Sequence, residues 1–417
     1  MFDGAFPRML AEAVGEGPAA RVLDALSEAP SASIRLNPSR MSECPFEGAE
    51  PVPWSPYGFF LPERPNFTLD PLFHAGCYYV QDTSAMFVGH VLRLILDDAF
   101  LAGDTLDLRS RYDRTVLDLC AAPGGKTTDA ASSLRERFGD GFLLIANEIV
   151  RKRFDVLREN VALWGDPRVA VTSLSPADLG ASGMSFDIIL ADVPCSGEGM
   201  FRKEPKAVED WSEETVAFCA ARQRSIIADI WPALASGGYL IYSTCTFNSS
   251  ENDDNVEWIC SELGAEVVPI PDFPPVVRTR YGMALLPGFV PGEGQYAALL
   301  RKTSRSAGKT AENPSAGPKT VPSAGKTAEN PSAGRPLRLN FPAEDVAPAP
   351  GVPFDVDRRT ALRYLHGDAI VLPDAPAGLL TICYEGHPLG TAKNIGPRCN
   401  NLYPKSRRIR IDVPSGL

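Results

Sequence analysis

Residues 116–127 read Val116-Leu-Asp-Leu-Cys120-Ala-Ala-Pro-Gly-Gly-Lys-Thr127, and this stretch decides the fold. A short apolar run of strand character stops at a Pro-Gly-Gly turn, which glycine's backbone freedom permits. Outward from it, strand and helix signals alternate. Phe142-Leu-Leu-Ile-Ala146 reads as a second strand, followed by a helix with Val150, Phe154, Leu157 and Val161 on one face and basic residues on the other. Residues 168–172 and 186–191 read as further strands. A helical pattern from Ser212 to Leu234 is expected to end at Gly237-Gly238, with a strand over 239–242 after it. Strands separated by helices imply a mostly parallel sheet covered on both faces, a doubly wound α/β domain.

The chain of 417 residues is long enough for two to three domains, and 44% hydrophobic with 22% charged residues is an ordinary globular mixture. No run approaches the roughly 20 apolar residues of a membrane span. The start, Met1-Phe2-Asp3-Gly4, has neither the basic nor the apolar part of a signal peptide, so a cytoplasmic location is expected, without membrane association. The nine cysteines include no Cys-x-x-Cys pair, and neither a disulfide framework nor a metal site is expected. The four histidines are His74, His90, His366 and His387, so the middle of the chain encodes no Ser-His-Asp or Cys-His triad. A net charge of −11 disfavours general nucleic-acid binding but leaves room for a local basic face.

Ser306-Ala-Gly-Lys-Thr-Ala-Glu-Asn-Pro-Ser-Ala-Gly317 recurs unchanged over 323–334, a 17-residue period. So polar a segment buries too little to offset its ordering entropy, and residues 303–336 read as a flexible linker. The expected division is an N-terminal extension over 1–105, a catalytic domain over 106–302, that linker, and a small α+β module over 337–417. Residues 379–383 and 409–411 are the module's strand-like runs. Its tail gathers Lys393, Arg398, Lys405, Arg407, Arg408 and Arg410, which either form a solvated edge or contact phosphates.

Three motifs carry chemistry. The turn at Cys120–Lys126 lacks the G-x-G-x-x-G of a dinucleotide site, and Cys120 stands where a P-loop needs its first glycine. What remains is a glycine turn after strand one and Glu148 at the end of strand two, where an acid can hold ribose hydroxyls. That order implies a nucleoside-containing cofactor. The second motif is Asp192-Val-Pro-Cys195-Ser-Gly-Glu-Gly-Met-Phe-Arg-Lys203, and the third is Tyr242-Ser-Thr-Cys245-Thr-Phe-Asn-Ser-Ser-Glu-Asn252. Both follow predicted strands, so their cysteines can face one crevice. Inert burial stays open for each cysteine, while the expected reducing compartment and missing ligands argue against a disulfide or a metal site.

Taken together, the three motifs resemble the Nol/Nop/Sun family of RNA cytosine-carbon-5 methyltransferases, over residues 116–302. Arg35-Leu-Asn37 and Gln81-Asp-Thr-Ser-Ala-Met86 resemble that family's N-terminal extension, and Met200-Phe-Arg-Lys203 with Asn400-Asn-Leu-Tyr-Pro-Lys405 its bacterial ribosomal branch. The resemblance implies a Rossmann-like core that uses S-adenosylmethionine, with an α+β N-terminal extension and a PUA-like C-terminal module. It implies that Cys245 attacks carbon 6 of cytosine and that Cys195 assists release, with Lys126 and Asp192 as the groups able to handle protons. Cys120, Ala121, Ala122, Pro123, Gly124, Gly125 and Lys126 would wrap the methionine part of the cofactor. Glu148 would hold its ribose, and Asp192 would sit beside the methyl group. One position departs from the pattern: Ser175 stands where an adenine-side acid is expected, with Asp178 three residues on. The implied partner is RNA, first small-subunit (16S) ribosomal RNA or the subunit itself and second transfer RNA, with Arg202-Lys203 and the basic tail as backbone contacts. Three alternatives remain. An exocyclic-amine methyltransferase leaves both thiols unexplained, and a dehydrogenase lacks the glycine fingerprint. The third is a non-catalytic ribosome-assembly factor, against which the intact motifs argue.

Overall fold

The computed structural model describes residues 4–97, 114–303, 339–343 and 351–413; the repeats at 306–334 lie outside the described residues. Helices α1 (Ala5–Val14) and α2 (Glu16–Ala25) lead into an antiparallel sheet. Its strands are β1 (Ala32–Leu36), β2 (Glu50–Pro51), β3 (Gly58–Leu61) and, after the short helix α3 (Pro71–His74), β4 (Tyr78–Val80), in the order β2-β3-β1-β4. Helix α4 (Thr83–Leu96) starts at Asp82, whose carboxylate accepts the Ser84 amide at 3.0 Å. The apolar side of α4 packs against the catalytic sheet, so the N-terminal unit is continuous with the core.

The second sheet carries the three motifs. In chain order it comprises β5 (Arg114–Asp118), α5 (Gly125–Phe138), β6 (Phe142–Asn147), α6 (Arg151–Trp164), β7 (Val169–Thr172), α7 (Pro176–Gly180) and β8 (Phe186–Asp192). There follow α8 (Pro205–Asp210), α9 (Glu213–Ile230), β9 (Leu234–Thr244), α10 (Asp253–Leu263), β10 (Ala265–Val267), β11 (Val277–Arg278), β12 (Met283–Leu285) and β13 (Gln295–Lys302). The strand order is β11-β12-β13-β9-β8-β5-β6-β7, with β10 beside β13. Strands β5 to β9 pair in parallel, and β13 returns antiparallel to β9. Every residue of β6 is buried, as a strand covered on both faces requires. The doubly wound expectation holds. The chain reverses direction across the sheet between β5 and β8, and ligands bind outside the carboxyl ends of strands at such a point.

Helix α9 ends earlier than its apolar pattern predicts. Pro232 has no amide to continue the ladder, so the helix stops at Ile230 and one 3-10 turn follows. Gly237-Gly238 then lies inside β9 rather than closing the helix. A β-carbon on Gly238 would stand 2.9 Å from both the Ala235 and Asp187 carbonyl oxygens, so the glycine lets β9 pass close to β8.

The C-terminal module comprises β14 (Val352–Asp355), α11 (Arg358–His366), β15 (Gly378–Tyr384), β16 (His387–Asn394) and β17 (Cys399–Asn401), sheet order β14-β15-β16-β17. Residues 409–411, read as strand-like, form no strand; Ile409 is buried and its amide donates to Leu365 O at 3.1 Å. The module does not hang free. Its Ala361, Leu362, Leu365 and Leu389 share one apolar cluster with Leu72, Ala75 and Tyr78 of the N-terminal unit. Leu339 and Phe341, just before the module, pack instead with the catalytic sheet, and Asn340 bridges to Val171 of β7.

Candidate active site

The motif turn sits at the carboxyl end of β5. Gly124, at φ 112°, occupies the left-handed region that lets the chain swing into α5. Its carbonyls are held from outside the motif: Ala122 O by Arg153 Nη2 at 2.7 Å, Pro123 O by Asn160 Nδ2 at 2.8 Å and Gly125 O by Arg35 Nη2 at 3.2 Å. Arg35 is fully buried, bonded through Nε to Gln81 Oε1 at 2.8 Å, and its guanidinium lies 4.5 Å from the Trp164 ring. The Arg35 and Gln81 motifs of the N-terminal unit therefore brace the glycine turn.

Asp118, Cys120, Glu148 and Asp192 converge around this turn. Burial first, and the carboxylates of Asp118, Asp192 and Glu148 next, push the Cys120 thiol well above its usual range. Burial also pushes the Asp118 carboxyl up to about 7, although Thr127 Oγ1 donates to it at 2.6 Å; its other oxygen is buried without a partner. Glu148 is buried, accepts the Val150 amide at 2.8 Å and faces Arg153 at 3.5 Å. Ile149, next to it, is 50% exposed.

Lys126 and Asp192 form an ion pair of 2.9 Å across the crevice. Burial opposes the Lys126 charge, but Asp192 and the Cys245 sulfur outweigh it and hold its pKa above the ordinary lysine value. The other Asp192 oxygen accepts Ser243 Oγ at 2.9 Å and Gln295 Nε2 at 3.0 Å. Cys195 follows β8 and Cys245 follows β9, which are neighbours, and their sulfurs stand 3.2 Å apart as free thiols. The Cys195 thiol is pushed well above its usual range, by the hydrogen bond to Cys245 first and by burial second.

The expected site residues therefore lie together at the carboxyl ends of β5, β6, β8 and β9, and the thiols meet. Three expectations need amendment or detail. Arg202 is not free for a phosphate: it is buried, pairs with Glu293 at 2.8 Å and donates to Gly292 O. Lys203 lies 3.6 Å from the same Glu293. Ser175, in the acid's place, caps α7, accepting the Asp178 amide at 3.1 Å and donating to the Asp178 carboxylate at 2.7 Å. In the basic tail, Lys393, Arg398, Lys405 and Arg410 are exposed, whereas Arg407 and Arg408 are half-buried. Arg153, Asn160, Glu198, Glu251 and Gln295 also serve the site without having been singled out, and Arg35, quoted only as part of the N-terminal extension, serves it too. Glu198 and Glu251 sat inside the quoted motifs; Gln295 lies on β13 with no motif around it. Among the described residues, no group of three or more His, Cys, Asp or Glu could hold a metal ion, and no helix is long and apolar enough to cross a membrane.

Family models match three stretches of the chain. Residues 3–83 match the N-terminal domain of 16S rRNA methyltransferase RsmF, 105–301 the family 16S rRNA methyltransferase RsmB/F, and 352–409 the methyltransferase RsmF PUA domain. The ribosomal RNA small subunit methyltransferase F of Serratia proteamaculans is 31% identical over 421 residues, covering 85% of this chain and 84% of that protein. The chain belongs to the RsmF family. The RsmF relative of Salmonella paratyphi A is 35% identical over 292 residues, and there the match spans 65% of this chain but only 57% of the relative. Among solved structures, a methyltransferase homologue from Pyrococcus horikoshii has a TM-score of 0.57 at 24% identity, covering 71% of this chain and 93% of that one. NSun6 from the same organism, solved with SFG, has a TM-score of 0.59 at 19% identity and covers 73% and 99%. These two likenesses concern the fold. The sheet is the Rossmann-like core of methyltransferases, and the C-terminal module is the PUA domain of the RsmF family.

Proposed function

We propose that this chain transfers the methyl group of S-adenosylmethionine to carbon 5 of a cytosine in small-subunit ribosomal RNA, through a covalent bond between Cys245 and the base. The observation that carries this reading is the Cys195–Cys245 pair, 3.2 Å apart at the carboxyl ends of adjacent strands beside the Lys126–Asp192 ion pair. Carbon 5 of cytosine is a poor nucleophile. Bonding of the Cys245 thiolate to carbon 6 shifts the ring π-electrons and makes carbon 5 enamine-like. Carbon 5 then takes the methyl group, and removal of its proton restores the double bond and expels the Cys245 thiolate.

The two thiols divide this work in time. While Cys245 is a free thiolate, the Cys195 S–H donates to it and keeps its proton. Once Cys245 is bonded to carbon 6, that negative neighbour is gone; Cys195 then yields its S–H proton to solvent and, as a thiolate, takes the carbon-5 proton. Lys126 and Asp192 hold the protons exchanged with the base, and Ser243 and Gln295 fix the Asp192 carboxylate.

The crevice fits the cofactor's chemistry. Asp118, Glu148 and Asp192 line the carboxyl ends of β5, β6 and β8 with acid groups suited to a ligand bearing an ammonium and a sulfonium. The unpartnered Asp118 oxygen can accept a hydrogen bond from the ammonium, Glu148 can bind ribose hydroxyls, and half-exposed Ile149 can cover an apolar base face. When bound, S-adenosylmethionine supplies the electrophilic methyl group. The target cytosine must leave its stack to reach the thiols. The PUA module, with Lys393, Arg398, Lys405 and Arg410 exposed, supports RNA as the partner; the relatives' names point to the small-subunit RNA. The test is labelled-methyl transfer to ribosomal RNA from cells lacking this protein. Label should appear as 5-methylcytidine and vanish with Cys245→Ala; label in another nucleoside, or unchanged by that variant, overturns the reading.

A further inference from the structure

The loops bearing the two thiols are joined by a pair of buried carboxylates, each carried by one loop and gripping the other. Glu198 lies three residues after Cys195, and its Oε2 accepts the amides of Phe247 at 2.6 Å and Asn248 at 3.2 Å, both on the Cys245 loop. Glu251 lies six residues after Cys245, and its Oε2 accepts the amide of Ser196, next to Cys195, at 3.0 Å. Asn248 Nδ2 links them, donating to Glu198 Oε1 and Glu251 Oε1 at 2.9 Å each. Both side chains are at most 1% exposed. Among the described residues neither is paired with a lysine or arginine. A buried carboxylate without a cation is costly, so its hydrogen bonds must be complete and directional. They are supplied almost wholly by the thiol loops, with Trp211 Nε1 donating to Glu198 at 3.1 Å and Gln223 Nε2 to Glu251 at 2.7 Å. Gln223 Nε2 also donates to Pro194 O at 2.9 Å, on the other side of Cys195.

We propose that Glu198 and Glu251 are positioning residues with separate tasks: Glu198 holds the Cys245 loop for attack, and Glu251 holds the Cys195 loop for release. Neither touches the base. The assignment follows from which backbone each carboxylate grips, and it rests on the two-thiol reading proposed above.

Glutamine is nearly isosteric but turns one accepting oxygen into a donor, which meets the amide donors already there. Glu251→Gln therefore displaces Cys195 and leaves the grip on Phe247 and Asn248 in place. Glu198→Gln does the reverse. A shift of about 1 Å in a reacting group costs roughly 100-fold.

The experiment is single-turnover reaction of the full-length protein with substrate ribosomal RNA and S-adenosylmethionine, reading the protein–RNA adduct on denaturing gels. A parallel RNA carries 5-fluorocytosine, whose carbon 5 has no proton to lose, so that adduct formation is read alone. Glu251→Gln should form adduct on the fluorinated RNA within a few-fold of the parent rate and accumulate it on ordinary RNA, its release slowed roughly 10- to 100-fold. Glu198→Gln should slow adduct formation on both RNAs by a similar factor and accumulate none. If Glu251→Gln does not fold, Glu251→Asp, whose shorter side chain withdraws from the Ser196 amide without burying a new donor, should show the same accumulation. Two variants that lose formation and release in equal proportion overturn this proposal alone. A parent protein that forms no adduct on fluorinated RNA overturns the two-thiol reading, and this inference with it.

Discussion

Replacing Arg202 with methionine separates a phosphate contact from a buried strut. Arg202 and Glu293 are each 5% exposed in their side chains, and among the described residues Glu293 keeps only Lys203, at 3.6 Å, when the guanidinium goes. Stranding a buried carboxylate costs about 3–5 kcal/mol. With an unfolding entropy of about 2.1 cal/mol/K per residue over the 417 residues, that loss lowers the melting temperature by roughly 3–6 °C if the chain unfolds as one unit. The residual Lys203 contact places the result towards the smaller figure. Calorimetry of Arg202→Met, Glu293→Gln and the double variant forms a cycle, and the double variant should recover most of the loss because no unpaired charge remains. RNA affinity measured against salt should keep the parent's slope. A variant that melts with the parent yet loses about one unit of that slope would refute the strut and restore Arg202 as a phosphate contact.

Other consequences are as direct. The Asp118 carboxyl is held near 7 in the folded protein against about 4 when unfolded, so the folded state keeps a proton that the unfolded chain has lost between those values. Stability therefore falls as pH rises from about 4 to about 7 and then levels. Asp118→Asn should melt above the parent at pH 8 and with it at pH 4; equal differences at both would count against the assignment. In Gly199→Ala the new β-carbon would stand 2.9 Å from Cys245 O and 3.0 Å from Glu293 O, both backbone atoms. Turnover should drop roughly 100-fold with only a modest change in melting, and parental turnover would mean the Cys245 loop yields freely. Changing Arg398, Lys405 and Arg410 together to glutamine should flatten the salt dependence of RNA binding by up to about three units without altering the melting temperature; an unchanged slope would make that tail a solvated edge.

The elements legible in the sequence were those whose cause is local. A strand, a proline-glycine turn and a helix start lie within residues 116–127, and each cysteine sits in a motif directly after a strand. The illegible parts depend on partners far along the chain. Arg35 reaches Gly125, Gln295 reaches Asp192 and Arg202 reaches Glu293 only after the sheet has formed. A solvent-seeking arginine and a buried one look alike in sequence, because burial is decided by the carboxylate that meets it. The end of α9 was misplaced for a related reason: the apolar period runs through Pro232, while the missing amide stops the helix there. The separateness of the C-terminal module looked secure from the polar repeats before it, yet its apolar helix face packs against the opposite end of the chain.

That shared packing has a consequence for the newborn protein. Among the described residues, the buried part of the cluster that covers the N-terminal face around Leu72, Ala75 and Tyr78 is supplied by residues from Ala361 onward, with Phe354 and Val356 at its margin. At about 5–20 residues per second, a ribosome needs roughly 15–60 s to make the 283 residues between Tyr78 and Ala361 (361 − 78). For that interval an apolar surface made early in synthesis waits for its cover, open to chaperones and to neighbouring nascent chains. Truncation before Ala361 should leave it open permanently, so premature termination yields aggregation-prone fragments rather than a smaller working enzyme.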